Sequence, residues 1–261
     1  MNFHLKITQE PDVKNPILVE GLPGIGYVGC IATKHLASEL NAKKFAILHS
    51  DHFPPQVLIR KSGMINTMKN EFYYWKAEKK NQRDLLIVTG NTQGMSPEGQ
   101  YALTEKLLDI VDAYKVDMIY TLGGLGIGRI VEKPRVFGAV THRKFIPELE
   151  KQDVVVRRDE VGQIIGVSGL LLGLSRLRGI HGVCLMGETS GFYMDPLSAK
   201  AVLQVLTALI NVEVDVKKLT KRAKATEKRV AEAQKIEKKI MEDMGMVQKG
   251  EPTDEQLRYI G

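Results

Sequence analysis

Residues 24–29 read Gly24-Ile25-Gly26-Tyr27-Val28-Gly29, a G-x-G-x-x-G stretch with an apolar run before it and a helical pattern after it. In a dinucleotide site such glycines make a tight turn, let a pyrophosphate approach the backbone and let the helix lie close on its strand. The helix N-terminus then holds the phosphates. Asp51 lies 22 residues beyond Gly29, at the end of another apolar run, where a carboxylate could hold a ribose hydroxyl. Gly24, Gly26, Gly29 and Asp51 together describe an enzyme that binds a nucleoside or NAD. The same glycines also suit a strand-to-helix turn with no ligand, and Pro23 removes one backbone donor just before it.

Other groups invite chemistry less strongly. His49, Asp51 and His52 form a short metal-like cluster, but histidines at i,i+3 converge only on a helix, and this stretch ends a strand. Ser190, in Gly187-Glu188-Thr189-Ser190-Gly191, is one position late for the G-x-S-x-G nucleophile elbow. The glycine runs "TLGGLGIG" (121–128) and "MGETSG" (186–191) also follow apolar strands. Three such strand ends could line one ligand crevice at the carboxyl edge of a parallel sheet, or let chain segments pack closely at a subunit contact. No catalytic residue and no metal ligand is expected.

The elements that must position these groups come from the apolar pattern. Residues 17–20, 45–49, 85–89, 118–122 and 182–186 are apolar nearly throughout, as strands covered on both faces are. Helical patterns over 27–40, 97–113 and 196–211 follow three of them, and Ser96-Pro97 and Asp195-Pro196 each place proline just after an N-cap. This alternation predicts a three-layer α/β/α domain with a mainly parallel sheet. Between the second and third strands, residues 57–61 and 71–78 read as an antiparallel hairpin. Its aromatics Phe72, Tyr73, Tyr74 and Trp75 are a candidate interface, since aromatics are enriched in interface cores. Packing on their own sheet is the other reading.

At 261 residues and 43% hydrophobic, the chain can bury a sizeable core. It lacks the 18 or more consecutive apolar residues of a membrane span and the long apolar region of a signal peptide, so no membrane partner is expected. Cys30 and Cys184, both in apolar surroundings, read as buried thiols of an intracellular, cytoplasmic protein. The formal net charge is +6, yet residues 215–249 alone hold eleven Lys or Arg against six Asp or Glu. The excess charge thus belongs to an appendage, and nucleic acid is not the favoured partner. An RNA contact through residues 217–239 is the weaker alternative. Leu219, Ala223, Thr226, Val230, Ala233, Ile236, Ile240 and Met244 recur at three and four, one thin apolar stripe along a helix. The expected organisation is a domain over 1–213, a charged helix over 214–247 and a flexible tail over 248–261.

In order along the chain stand "GLPGIGYVG" (21–29), "GNTQGMSPEGQY" (90–101), "TLGGLGIG", the glycine- and leucine-rich stretch 166–206 and the charged helix. Together they resemble the proteasome assembly chaperone family, specifically the archaeal relatives of the eukaryotic second assembly chaperone. The resemblance implies an α/β/α fold related to nucleoside phosphorylases, no enzymatic activity and no cofactor. It also implies a ring-like homo-oligomer, a tetramer or a pentamer, whose partners are proteasome α-subunits or a paralogous chaperone. In that case Gly24, Gly26 and Gly29 are architectural. Docking tails in related proteins resemble hydrophobic–Tyr–any residue at the extreme C-terminus, which implies a partner-binding tail at Leu257, Tyr259, Ile260 and Gly261. Tyr259 stands third from the end rather than second, and Arg258 replaces the hydrophobic residue. A degenerate docking tail and an exposed tail without that role both fit.

Overall fold

Leu18 and Val19 point to opposite faces of one strand, and neither exposes more than 1% of its surface. Such strands need a layer of helices on each side. The computed structural model describes residues 3–156 and 162–243. In chain order these form β1 (Phe3–Ile7), β2 (Ile17–Gly21), α1 (Val28–Glu39), β3 (Lys43–Ser50), β4 (Val57–Ile59), β5 (Ile65–Thr67), β6 (Asn70–Trp75) and β7 (Leu85–Gly90). There follow α2 (Pro97–Ala113), β8 (Met118–Gly126), β9 (Val136–Val140), α3 (Ile146–Glu150), α4 (Val167–Leu177), β10 (His181–Thr189), α5 (Pro196–Leu209) and α6 (Lys217–Asp243). Helices α2 and α5 start where their caps predict. Ser96 Oγ accepts from Gly99 N at 3.1 Å, and Asp195 Oδ1 accepts from Leu197 N and Ser198 N.

Eight strands form one sheet in the order β1-β3-β6-β7-β2-β8-β10-β9. Only the inner block β7-β2-β8-β10 is parallel; the pairs β1–β3, β3–β6, β6–β7 and β10–β9 are antiparallel. The expectation of a mainly parallel sheet is therefore corrected to a mixed one. Helices α1 and α5 cover the face that carries Ile17, Val19 and Leu185, while α2 and α4 cover the face that carries Leu18, Leu86 and Cys184.

The expected hairpin is corrected as well. Residues 57–59 pair with 65–67 in a separate two-stranded sheet. Strand β6 lies inside the main sheet, between β3 and β7. Its Phe72 and Trp75 are core residues, while Tyr73 and Tyr74 are half-buried. The Phe45 ring meets those of Phe72 and Tyr74 edge-on, at 6.0 and 6.2 Å. Of the four aromatics, only the two tyrosines keep surface for a neighbour.

Helix α6 starts as part of the domain. Leu219 and Ala223 are buried, and Leu219 joins the same core as Val202 and Leu206 of α5. The entry is held by His35 Nε2 on Asp215 O at 2.7 Å and by Lys218 Nζ donating to Glu39 at 2.7 Å. Further on, Ile236 is 60% exposed, so the apolar stripe outruns the surface beneath it. Among the described residues no helix is long and apolar enough to cross a membrane. Leu219→Ala is expected to cost about 2–5 kcal/mol in urea unfolding, as a cavity under α6 would. Unchanged stability would mean that α6 does not rest on α5.

Candidate functional site

The chain leaves β2 at Gly21 and must reverse into α1 within a few residues. It does so through a 3-10 turn at Ile25–Tyr27, with Gly26 at φ 60° and Tyr27 at φ 54°. A Cβ on Gly26 would also lie 2.8 Å from the Thr189 hydroxyl at the end of β10. A Cβ on Gly29 would collide with the Leu122 carbonyl of β8. Gly24 differs: its nearest neighbour would be Gln93 Nε2 at 4.0 Å, and its backbone is extended. Gly26 and Gly29 thus face the protein itself. The Thr189 side chain lies directly against Gly26.

The rest of the fingerprint does not assemble. In a dinucleotide fold the acidic residue ends the strand beside the glycine-loop strand. Here Asp51 follows β3, and β6 and β7 stand between β3 and β2. Three strand spacings put it about 14 Å from the glycine turn. His49 and His52 diverge too: His49 Nδ1 meets Met68 O at 3.0 Å, while the His52 ring lies 5.6 Å from Phe3. Among the described residues no group of three His, Cys, Asp or Glu side chains could hold a metal ion. Ser190 is buried, its Oγ accepts from Phe192 N at 3.4 Å, and no hydrogen bond among the described residues ties it to a histidine.

The groups that do converge at the strand ends were not singled out from the sequence. Glu20 alternates with Leu18, so it faces α4, and it is fully buried. Leu22 N donates to its Oε1 at 2.9 Å, and Ser168 Oγ donates to its Oε2 at 2.8 Å. Burial raises its pKa to about 7, against the pull of those two bonds. In register with it across β8 and β10 stand Thr121 and Cys184, and burial pushes the Cys184 thiol up to about 12. Gln93 bridges the glycine loop and α4, donating to Pro23 O at 2.6 Å and accepting from Val167 N at 3.0 Å. It thereby occupies one of the free donors at the α4 N-terminus.

On the far side, Arg135 grips Glu188 through its guanidinium and its backbone N–H, which holds the carboxyl below its usual range. Asp195 N donates to Gly26 O at 2.9 Å, tying the start of α5 to the turn. Around these closed groups the rim is apolar: Ile25, Tyr27, Phe192 and Met194 are exposed. A lone Glu ending an apolar run was the available signal for Glu20; Gln93 and the Arg135–Glu188 pair carried none.

Strand ends sealed by the protein's own side chains and rimmed with apolar groups define an α/β scaffold rather than a cofactor cleft. Residues 18–234 match the PAC2 family, and the chain belongs to it. It is similar to the crystal structure of PbaB, an archaeal proteasome activator from Pyrococcus furiosus. The two are 44% identical, with 89% of this chain and 98% of that one covered and a TM-score of 0.84. PbaA of the same organism, an archaeal homologue of proteasome-assembly chaperone, is 29% identical, with 88% and 95% covered and a TM-score of 0.70. An uncharacterized protein of Methanocaldococcus jannaschii is 41% identical over 98% of this chain and 96% of its own. None of these likenesses ties the chain to nucleoside phosphorylases, and that expected kinship is withdrawn with the mainly parallel sheet.

Two outcomes test this description. Gly26→Ala is expected to lose about 1–3 kcal/mol of stability, from its left-handed backbone and the Thr189 contact, and NAD is expected to leave the melting temperature of the native chain unchanged. A rise with NAD would restore the cofactor reading. For Glu20, the raised folded-state pKa means its contribution is complete below about pH 4.5 and lost as pH climbs to about 7. The loss is about 3 kcal/mol. Unfolding curves of the native chain and Glu20→Gln should diverge over that window, with the slope absent from the variant; parallel curves would contradict it.

Proposed function

We propose that this protein is a non-enzymatic oligomeric scaffold that assists the assembly of proteasome components. The observation that carries the reading is the joint likeness to PbaB, a proteasome activator, at 44% identity and to PbaA, a homologue of proteasome-assembly chaperone, at 29%. The strand ends support it, since Thr189, Gln93 and Glu188 are engaged by groups of the protein itself and the rim beside them is apolar, suited to another protein. The partner in this proposal is the proteasome α-subunit, with a paralogous chaperone as the second candidate.

The attachment is assigned to the chain beyond α6. Leu257, Tyr259, Ile260 and Gly261 lie outside the described residues, and their part in binding rests on the sequence alone. The basic helix before them would hold the tail at a distance from the domain, and several tails on one oligomer would add their weak affinities by raising the local concentration. Native mass spectrometry of the full chain with proteasome α-subunits tests this, with a 1–247 truncation alongside. The expected result is an oligomer that captures α-subunits only while residues 248–261 are present. Capture by both forms would move the contact into the domain, and capture by neither would remove α-subunits as the partner.

A further inference from the structure

Strands β4 and β5 stand apart from the main sheet, as a hairpin between β3 and β6. A two-stranded sheet is marginal in water; it needs a third strand or a covered face. This one is unusually apolar for a projecting element. Val57, Leu58 and Ile59 of β4 are 49, 41 and 76% exposed, and Met64 and Ile65 add to the same hairpin. All three residues of β4 are apolar, on both of its faces, and β5 covers only one of its edges. A bare apolar edge of this kind templates pairing with another strand.

The hydrogen-bond phase decides what that edge can accept. Arg60 N donates to Met64 O at 2.8 Å, and the register then runs Ile59↔Ile65, Leu58↔Asn66 and Val57↔Thr67. Bonded and non-bonded pairs alternate in an antiparallel ladder, so Leu58 turns its backbone groups toward β5. Val57 and Ile59 turn theirs outward. Two copies of β4 brought together about a two-fold axis at Leu58 would set Val57 of each opposite Ile59 of the other. Both outward N–H and C=O sets would then be satisfied, and Leu58 would face Leu58. The next pair outward sets Arg60 against the second copy's Gln56, so the hairpin's cations do not oppose each other. The strand is complementary to itself, which is the condition for a two-fold contact between identical chains.

We propose that β4 is a self-association edge, pairing antiparallel with β4 of a second copy about Leu58 to make a four-stranded sheet from two hairpins. This rests on the oligomeric reading above and names one of its contacts. An isologous contact of this kind yields a dimer. With a second contact it yields an even-numbered dihedral assembly such as a tetramer, and it does not by itself close a ring of five.

Cysteine crosslinking tests it on the full chain. In the non-bonded pair the two Leu58 Cα atoms would lie about 4.5 Å apart, within the range a disulfide spans. Cys30 and Cys184 are buried and do not compete. Mild oxidation of Leu58→Cys is expected to convert the chain to a disulfide-linked dimer on a non-reducing gel. Asn66→Cys, on β5 opposite Leu58, is expected to stay single. Native mass spectrometry of the unaltered chain separates the two ideas. An oligomer whose Leu58→Cys form fails to crosslink would overturn the β4 contact, leave the scaffold reading intact and open the edge to a strand from another protein. Equal crosslinking at both positions would also overturn it, as random collision. A monomeric native chain would sink both.

Discussion

Helix α1 lies on the parallel strands with backbone against backbone, and much of the molecule follows from that approach. A side chain at Gly29 would strike the Leu122 carbonyl, and one at Gly21 would strike the Gly29 carbonyl. Thr33 closes the contact, its hydroxyl within 3.0 Å of both Gly21 O and Gly29 O. So short a passage from strand to helix requires the left-handed residues Gly26 and Tyr27. The turn in turn receives Thr189 from β10 and the Asp195 N–H at the start of α5. Gly26 and Gly29, two of the three glycines at the spacing of a dinucleotide fingerprint, thus have packing reasons of their own, because close helix–strand contact is one of that fingerprint's own requirements.

The apolar runs reported burial faithfully and direction not at all. The five apolar runs expected to be central strands all lie in the main sheet, because strands covered on both faces are built mostly of apolar residues. Parallel or antiparallel neighbours leave the same apolar signature. That is how β3, antiparallel to both of its neighbours, passed for part of a parallel sheet. The hairpin went astray for a related reason. Asn70–Trp75 mixes buried and half-buried residues and so resembles an edge element, yet it pairs on both sides. The partner that residues 57–59 do have, 65–67, was too short and too mixed to stand out, though Gly63 at φ 79° makes the turn between them.

At the strand ends, residue type was visible and placement was not. Asp51 had the right distance in sequence and the wrong strand, since β6 and β7 enter the sheet between β3 and β2. Glu20 was visible as the last residue of an apolar run, but only the packing of α4, with Ser168 above it, shows that the carboxylate is buried. Gln93 sits in a glycine-rich loop where any polar residue would look ordinary. Its two contacts, to Pro23 O and Val167 N, join segments 70 and 74 residues away.

The polar and the apolar parts of the surface are divided accordingly. Inside the strand ends, three buried carboxylates have protein partners: Glu20 with Ser168, Glu188 with Arg135, Asp195 with Ser198. Satisfied groups of this kind give rigidity and leave little for a small ligand to replace. The unsatisfied surface is apolar instead, at Ile25 and Phe192 on the rim and along β4 on the hairpin. Apolar surface of that kind is stabilised by broad contact with another protein rather than by one or two directed bonds. The β4 hairpin springs from β3 and β6, whereas α6 is anchored on α5. The proposed self-association and the proposed attachment of a partner thus use different elements.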